Sequence, residues 1–117
     1  MDVPNEIQQE LMQFQQLQEQ FQLFSTQRAQ MELQLKEISM TIERLGSVKE
    51  DTTIYQHVGS LLVKVDGRKK LEDELNDRTE TITRRIESMK GQEERLKQRL
   101  ESMGNELNEK IKSAGLS

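Results

Sequence analysis

Residues 52–67 read TTIYQHVGSLLVKVDG, and this stretch decides the fold. It is rich in β-branched and aromatic residues, which fit the pleated surface of a strand. The Gly59-Ser60 pair stands between its two apolar parts and suits a tight turn. The segment therefore predicts a β-hairpin at about 52–66, with strands near Ile54–His57 and Leu61–Val65.

The sequence on both sides of this hairpin carries apolar residues at heptad spacing, which is the pattern of a coiled coil. Before the hairpin, the two core positions of the heptad are apolar from Ile7 to Leu45, with few exceptions. After it, the same pattern runs from Leu75 to Ala114. Polar residues interrupt these core positions at Glu10, Arg28, Thr79 and Glu93. Two long helices are therefore predicted.

The ends of the helices are predicted from residues that start and stop helices. Gly46 follows the last apolar core residue of the first helix and suits the left-handed conformation that ends a helix. Asp66 suits the cap of the second helix. Within a single domain over 1–117, these signals place helix 1 at about 4–46 and helix 2 at about 67–114.

The predicted fold class is mainly α, a long antiparallel two-helix coiled coil with one β-hairpin at the helix-connecting end. The hairpin reverses the chain between two segments of nearly equal length, so antiparallel pairing is the simplest arrangement. An isolated hairpin is marginally stable in water and exposes strand edges. We therefore expect the hairpin to pair with hairpins of other chains.

The composition favours an extended coiled coil over a compact globule. Hydrophobic residues make up 32% of the chain and charged residues another 32%, which is poor material for a large core. The formal net charge of −4 disfavours nucleic-acid binding, which requires a concentrated basic surface. The chain has no cysteine and no apolar run approaching the roughly 20 residues that span a bilayer. We expect a soluble, cytoplasmic protein that binds no membrane.

Catalytic chemistry is not indicated by any motif in the sequence. There is no phosphate-binding glycine loop, no nucleophile elbow and no paired histidine and carboxylate, and a thin two-helix coil offers no enclosed pocket. His57 is the single histidine, and without cysteine we expect it to have a packing or surface role. The expectation is a protein with no enzymatic activity, no catalytic residues, no metal and no cofactor.

The order helix, hairpin, helix resembles prefoldin, and three local sequences are similar to its β-type subunit. They are QFQQLQ at 13–18, IYQHVGSLLVKV at 54–65 and QEERLKQRLESM at 92–103. The hairpin is the most specific part, because its pattern is matched by Tyr55, Val58, Gly59, Leu62 and Val63. Archaeal β-type subunits are the nearest match, and their eukaryotic counterparts are similar.

The resemblance implies an assembly and an activity. In this family, two α-type and four β-type subunits join their hairpins into a β-barrel platform, which gives a hexamer with six projecting coiled coils. The ends of the coils hold non-native proteins and pass them to a group II chaperonin without hydrolysing ATP. A single hairpin is typical of the β-type subunit.

Candidate site residues follow from the resemblance and from the expected fraying of the coil where both chain ends lie. The client-binding candidates are Val3, Ile7, Leu11, Met12, Phe14, Met103, Leu107, Ile111 and Leu116. The oligomerisation candidates are Ile54, Tyr55, Val58, Gly59, Leu61, Leu62, Val63 and Val65. Glu106 and Glu109 are candidate contacts to the chaperonin.

Several of these residues have an alternative structural role. Phe14 and Met103 stand at heptad positions, where ordinary core packing is equally consistent with the pattern. Arg28 at a core position is consistent with a role in register or partner choice, but the commoner outcome is a side chain that extends to solvent. Glu93 is interpreted as part of a solvated charged face. The alternative function is a structural or tethering coiled coil that oligomerises through its hairpin. A tether should end in polar turns, whereas this chain keeps apolar residues near its ends.

Overall fold

The computed structural model describes residues 3–115, in which two long helices flank a two-stranded antiparallel hairpin. The elements are α1 (Asn5–Ser47), β1 (Tyr55–Val58), β2 (Leu61–Lys64) and α2 (Arg68–Ser113). The mainly helical fold with one hairpin, which the heptads and the β-rich segment predicted, is confirmed. No helix within residues 3–115 has an apolar stretch long enough to cross a membrane.

The chain divides into two compact units, which we describe separately. The hairpin unit is Gln30–Ile86 and the terminal unit is Met1–Ala29 with Glu87–Ser117. The core of the hairpin unit consists of buried heptad residues from both helices: Ile38, Leu45, Leu75, Ile82 and Ile86. Ile54, the residue before β1, packs against this core and anchors the hairpin on it.

The terminal unit is an antiparallel helix pair with its own buried residues. Its buried heptad side chains are Ile7, Leu17, Met89 and Leu107. Close to the start of α1, Glu10 pairs with Lys110 near the end of α2. Further along α1, Arg28 pairs with Glu93, which comes earlier in α2. The partners run in opposite directions, which confirms the antiparallel pairing within this unit.

The end of α1 differs from the prediction at Gly46. This glycine lies inside α1, and the glycines with positive φ in residues 3–115 are Gly59 and Gly115. Instead, the guanidinium of Arg68 donates hydrogen bonds to the carbonyls of Leu45 and of Val48, the latter at 3.0 Å. A cation at this position also interacts favourably with the helix dipole. The predicted glycine cap is wrong, because a side chain from α2 caps α1.

The start of α2 lies one residue later than its predicted cap. The carbonyl of Gly67 accepts the hydrogen bond of the Leu71 N–H at 3.1 Å, so Gly67 occupies the capping position. Asp66 precedes that position, and its assignment as the cap is wrong. The Arg68 guanidinium also pairs with Glu72, 3.2 Å away and one turn along α2. This pair orients the guanidinium that caps α1.

Candidate functional site

The hairpin closes through a two-residue turn with a fixed register. Val58 pairs with Leu61 across the turn, and Tyr55 pairs with Lys64 at the other end of the strands. Gly59 has a φ of 62°, and residue 60 has no positive φ. This combination matches a type II′ turn, which needs glycine at its first central position. The prediction of a turn at Gly59-Ser60 is confirmed.

The register separates the hairpin into two faces. Side chains alternate along a strand, and paired residues share a face. One face is almost wholly apolar and consists of Ile54, Gln56, Val58, Leu61, Val63 and Val65. The other face consists of Tyr55, His57, Leu62 and Lys64. Tyr55, Leu61 and Leu62 are 60–65% exposed. Tyr55 and Leu61 lie on opposite faces, so both faces of the hairpin expose large apolar or aromatic side chains.

Both edges of the hairpin carry unpaired backbone groups. In a hairpin with a two-residue turn, the pair next to the turn exchanges hydrogen bonds, and every second pair does so. The bond from the Val65 N–H to the Ile54 carbonyl, 2.9 Å long, fits this alternation. The N–H and C=O groups of Tyr55 and His57 therefore point outward along β1, and those of Leu62 and Lys64 along β2. Such edges are templates for further strands.

A groove of about 590 Å³ lies beside β1 in the hairpin unit. Its apolar lining comes from both helices and from the hairpin and includes Leu45, Ile54 and Leu71. Val48 and Tyr55 also line it, and both are exposed. The groove thus continues the exposed apolar surface of the hairpin toward the helix core.

The candidate client-binding residues have very different exposures in the terminal unit. Ile7 and Leu107 are each only 5% exposed, whereas Met12 is 60% exposed. The half-buried candidates are Val3, Leu11, Phe14, Met103 and Ile111. Leu116 lies outside the described residues. We call the region where α1 begins and α2 ends, residues 3–14 and 103–115, the tip.

Phe14 and Gly104 fit together within the tip. A Cβ atom placed on Gly104 would lie 3.6 Å from the Cε2 atom of Phe14, which is ordinary van der Waals contact. The ring therefore packs directly over the backbone of α2. This contact supports the core-packing role for Phe14 that the heptad spacing left open.

A shallow groove of about 530 Å³ runs along the tip. Its apolar lining includes Pro4, Ile7 and Ala114. The charged side chains along it are Glu6, Glu106, Glu109 and Lys110. Both predicted chaperonin contacts thus border the same groove as Ile7.

Lys110 connects the two helices at this groove. Its ammonium donates hydrogen bonds to the carboxylates of Glu10 and of Glu6, the latter at 3.2 Å. The hydrogen bond to Glu10, followed by the one to Glu6, raises the pKa of Lys110 above its ordinary value of 10.5. The polar residue at the Glu10 core position is therefore matched by a lysine on the facing helix.

The two other polar side chains that interrupt the terminal seam also meet across the coil. The Nε–H of Arg28 donates to the Glu93 carboxylate, and the Ser25 hydroxyl donates to the same carboxylate at 3.2 Å. The side chains of Arg28 and Glu93 are 25% and 13% exposed. The prediction that Glu93 lies on a solvated face is wrong, whereas Arg28 is partly exposed and also pairs across the coil. The sequence signal that could have predicted this pair is the presence of two opposite charges at core positions of the two helices.

Within 3–115, no group of three or more histidine, cysteine, aspartate or glutamate side chains is arranged to hold a metal ion. His57 lies on the exposed hairpin face with Tyr55, Leu62 and Lys64.

Comparison with known proteins identifies relatives over nearly the full chain. A family model described as prefoldin subunit matches residues 8–114. The prefoldin subunit beta of Methanosarcina acetivorans is 33% identical over 110 residues, covering 94% of this chain and 93% of the relative. That of Saccharolobus islandicus is 38% identical over 109 residues, covering 93% of this chain and 86% of the relative.

Solved structures show the same architecture. The crystal structure of the prefoldin beta subunit from Thermococcus strain KS-1 matches with a TM-score of 0.81 at 27% identity, covering 94% of this chain and 96% of that chain. The prefoldin beta2 subunit of the same strain matches with a TM-score of 0.70 at 25% identity, covering 80% of this chain and 98% of that chain.

Proposed function

The chain belongs to the prefoldin subunit family, and from this membership we propose that it is the β-type subunit of a hexameric, ATP-independent holdase. Prefoldin subunits are chaperone subunits and not enzymes. The observation that carries the proposal is the hairpin, in which every strand residue is exposed in the single chain. A surface of this kind requires other subunits to cover it.

The hairpin pairs with α-type and further β-type subunits by strand addition, in a proposed ratio of two α to four β. Its outward backbone groups supply the hydrogen bonds, and its apolar face, with Val58, Leu61 and Val63, supplies the buried surface. The groove beside β1 receives apolar side chains of a neighbouring hairpin. Strand addition at β2 therefore requires the outward backbone N–H of residue 62.

Substitution of Leu62 by proline and by alanine tests this assembly. Both variants lose the leucine side chain, but only Leu62→Pro loses the outward N–H, and residue 62 donates no bond within its own hairpin. We expect sedimentation with an α-type subunit to show hexamers for Leu62→Ala and largely dissociated subunits for Leu62→Pro. Far-UV circular dichroism checks that the helices remain. Equal assembly of the two variants would rule out strand addition at β2.

Client binding takes place at the tip, where apolar side chains lie close to the helix ends. Met12 is exposed, and Leu11 and Ile111 are half-buried, so the tip presents apolar surface without unfolding. Methionine and leucine adapt to many shapes, which suits a binder of diverse unfolded chains. Several tips around one cavity strengthen weak single contacts by multivalency. No nucleotide is needed for such binding.

A pair of matched substitutions separates this proposal from a tethering role. Met12 and Leu23 are 60% and 57% exposed and both lie on α1 in the terminal unit, but only Met12 lies at the tip. We expect Met12→Gln, made in all β subunits, to weaken suppression of aggregation of a chemically unfolded client without ATP. Leu23→Gln should suppress aggregation as well as the unmodified hexamer. A hexamer that suppresses no aggregation would favour the tether.

Delivery to a group II chaperonin is proposed to use the carboxylates of Glu106 and Glu109. Both are exposed beside the groove at the tip, where charge can steer association. We expect the double substitution to glutamine to slow chaperonin binding, measured by surface plasmon resonance at low salt. Unchanged association rates would place the chaperonin contact elsewhere.

A further inference from the structure

The cross-helix ion pairs at the tip lie beside two of its buried apolar residues. Lys110 of α2 bridges to both Glu6 and Glu10 of α1. Ile7 lies between the two glutamates in sequence, and Leu107 precedes Lys110 by one helical turn. Ile7 and Leu107 are also the candidate client-binding residues with the lowest exposure, 5% each. Ile7 lines one groove with Glu6 and Lys110, and Leu107 lines another with Glu10, so the charged contacts border both apolar residues.

The apolar seam between the helices ends close to these ion pairs. Beyond Leu107, the heptad residue Ala114 is exposed, so the apolar seam ends at the half-buried Ile111. The ion pairs are themselves partly open to water, with the side chain of Glu6 76% exposed and that of Lys110 41% exposed. Exposed pairs are individually weak and are screened by salt. The ion pairs at the tip are therefore readily opened.

We propose that Lys110, Glu6 and Glu10 form an ionic clasp that covers Ile7 and Leu107 in the absence of client, and whose opening enlarges the apolar binding surface. The inference rests on the proposed client-binding role of the tip and concerns the regulation of that site. In the closed state the tip offers Met12 and its half-buried neighbours. In the open state Ile7 and Leu107 become available as well, so ionic strength controls how much apolar surface is presented.

Lys112 provides a matched control for a test of the clasp. It is exposed in the last turn of α2, carries the same charge as Lys110, and forms no ion pair within the part of the chain that is described. Lys110→Gln removes the clasp, Lys110→Arg preserves a cation, and Lys112→Gln removes an equivalent helix-end charge. Any general effect of charge on the end of α2 should appear in both glutamine variants.

The first readout is hydrogen–deuterium exchange of residues 104–113 in the assembled hexamer. We expect Lys110→Gln to speed exchange by up to about fivefold, as befits an exposed ion pair. Lys110→Arg and Lys112→Gln should resemble the unmodified protein. Raising ionic strength from about 0.05 to about 1 M should speed exchange in the unmodified protein and change Lys110→Gln little. Equal exchange in the two glutamine variants would overturn the clasp.

The second readout is the dissociation constant for a fluorescent, chemically unfolded client. We expect Lys110→Gln to bind it up to about fivefold more tightly than Lys112→Gln does at low salt. Faster exchange with unchanged client affinity would mean that the ion pairs do not regulate binding, and the inference would be wrong. Absence of client binding by every hexamer would instead refute the proposed function of the tip.

Discussion

Neutralising Glu93 should weaken the coiled coil much more than neutralising its neighbour in the sequence. The Glu93 carboxylate accepts hydrogen bonds from Arg28 and Ser25 of the facing helix and is largely shielded from water. In Glu93→Gln the shape of the side chain is kept, but the ionic bond between the Arg28 guanidinium and residue 93 is lost. The cost therefore comes from a partly desolvated cation that no longer pairs with a charge at this position.

The magnitude follows from the exposure of the two side chains. Loss of one partner from a fully buried pair costs about 3–5 kcal/mol, whereas an exposed pair is worth about 0–1 kcal/mol. Arg28 and Glu93 are 25% and 13% exposed, which places their pair between these limits. Glutamine still accepts hydrogen bonds at its carbonyl oxygen. We expect Glu93→Gln to lower the free energy of unfolding by about 1–2 kcal/mol.

Urea unfolding followed by circular dichroism measures this cost. The subunit concentration must be held constant, because assembly shifts apparent stability. Glu94→Gln is the matched control, since Glu94 is exposed and, among the described residues, its carboxylate accepts a hydrogen bond only from Gln98 of its own helix, at 3.5 Å. It should change stability by less than about 0.5 kcal/mol. Equal midpoints and slopes for the two variants would refute the assignment of Glu93 to the seam.

Three further predictions concern single positions. Gly91→Ala should stabilise α2 by about 0.5–1 kcal/mol in the same urea assay, because an added Cβ has no atom within 4 Å; a lower midpoint would contradict this. Arg68→Ala should speed amide exchange at residues 48–53, because it removes the side chain that caps the Leu45 carbonyl; unchanged exchange would show that the cap is dispensable. The pKa of Lys110 is raised, so its stabilising contribution is complete below the ordinary value of 10.5 and is lost as pH rises through the folded-state pKa. The urea midpoint should therefore fall as the pH rises through the folded-state pKa of Lys110, and it should fall less in Lys110→Gln, which lacks this contribution; an equal fall in both proteins would contradict the prediction.

The sequence predicted those features that depend on local pattern. Heptad spacing identified the residues that the structure buries, including Ile7, Leu45 and Leu107. The turn was predicted because glycine at position 59 can adopt a positive φ at no steric cost. In each case the physical cause is contained within a few consecutive residues or within one helical repeat, and tertiary packing reinforces it.

Features that depend on a distant partner were missed. Gly46 has the residue type of a helix stop, but α1 continues through it and is capped by Arg68, more than twenty positions away. Arg28 and Glu93 each look like an isolated polar defect until the antiparallel register places them side by side. Single-helix reasoning assigns such residues to solvent, because the neutralising charge lies on the other helix.

Exposure alone does not identify a binding surface in this protein. Leu33 and Met40 of α1 are 61% and 54% exposed, as open as Leu62 in the hairpin at 63%. Along α1 the backbone groups are already bonded within the helix, and polar residues separate the exposed apolar side chains. At Leu62 an exposed apolar side chain coincides with unpaired backbone groups on a strand edge. Another chain can satisfy both there, and this coincidence supports the proposal that subunits assemble through the hairpin instead of through the outer face of α1.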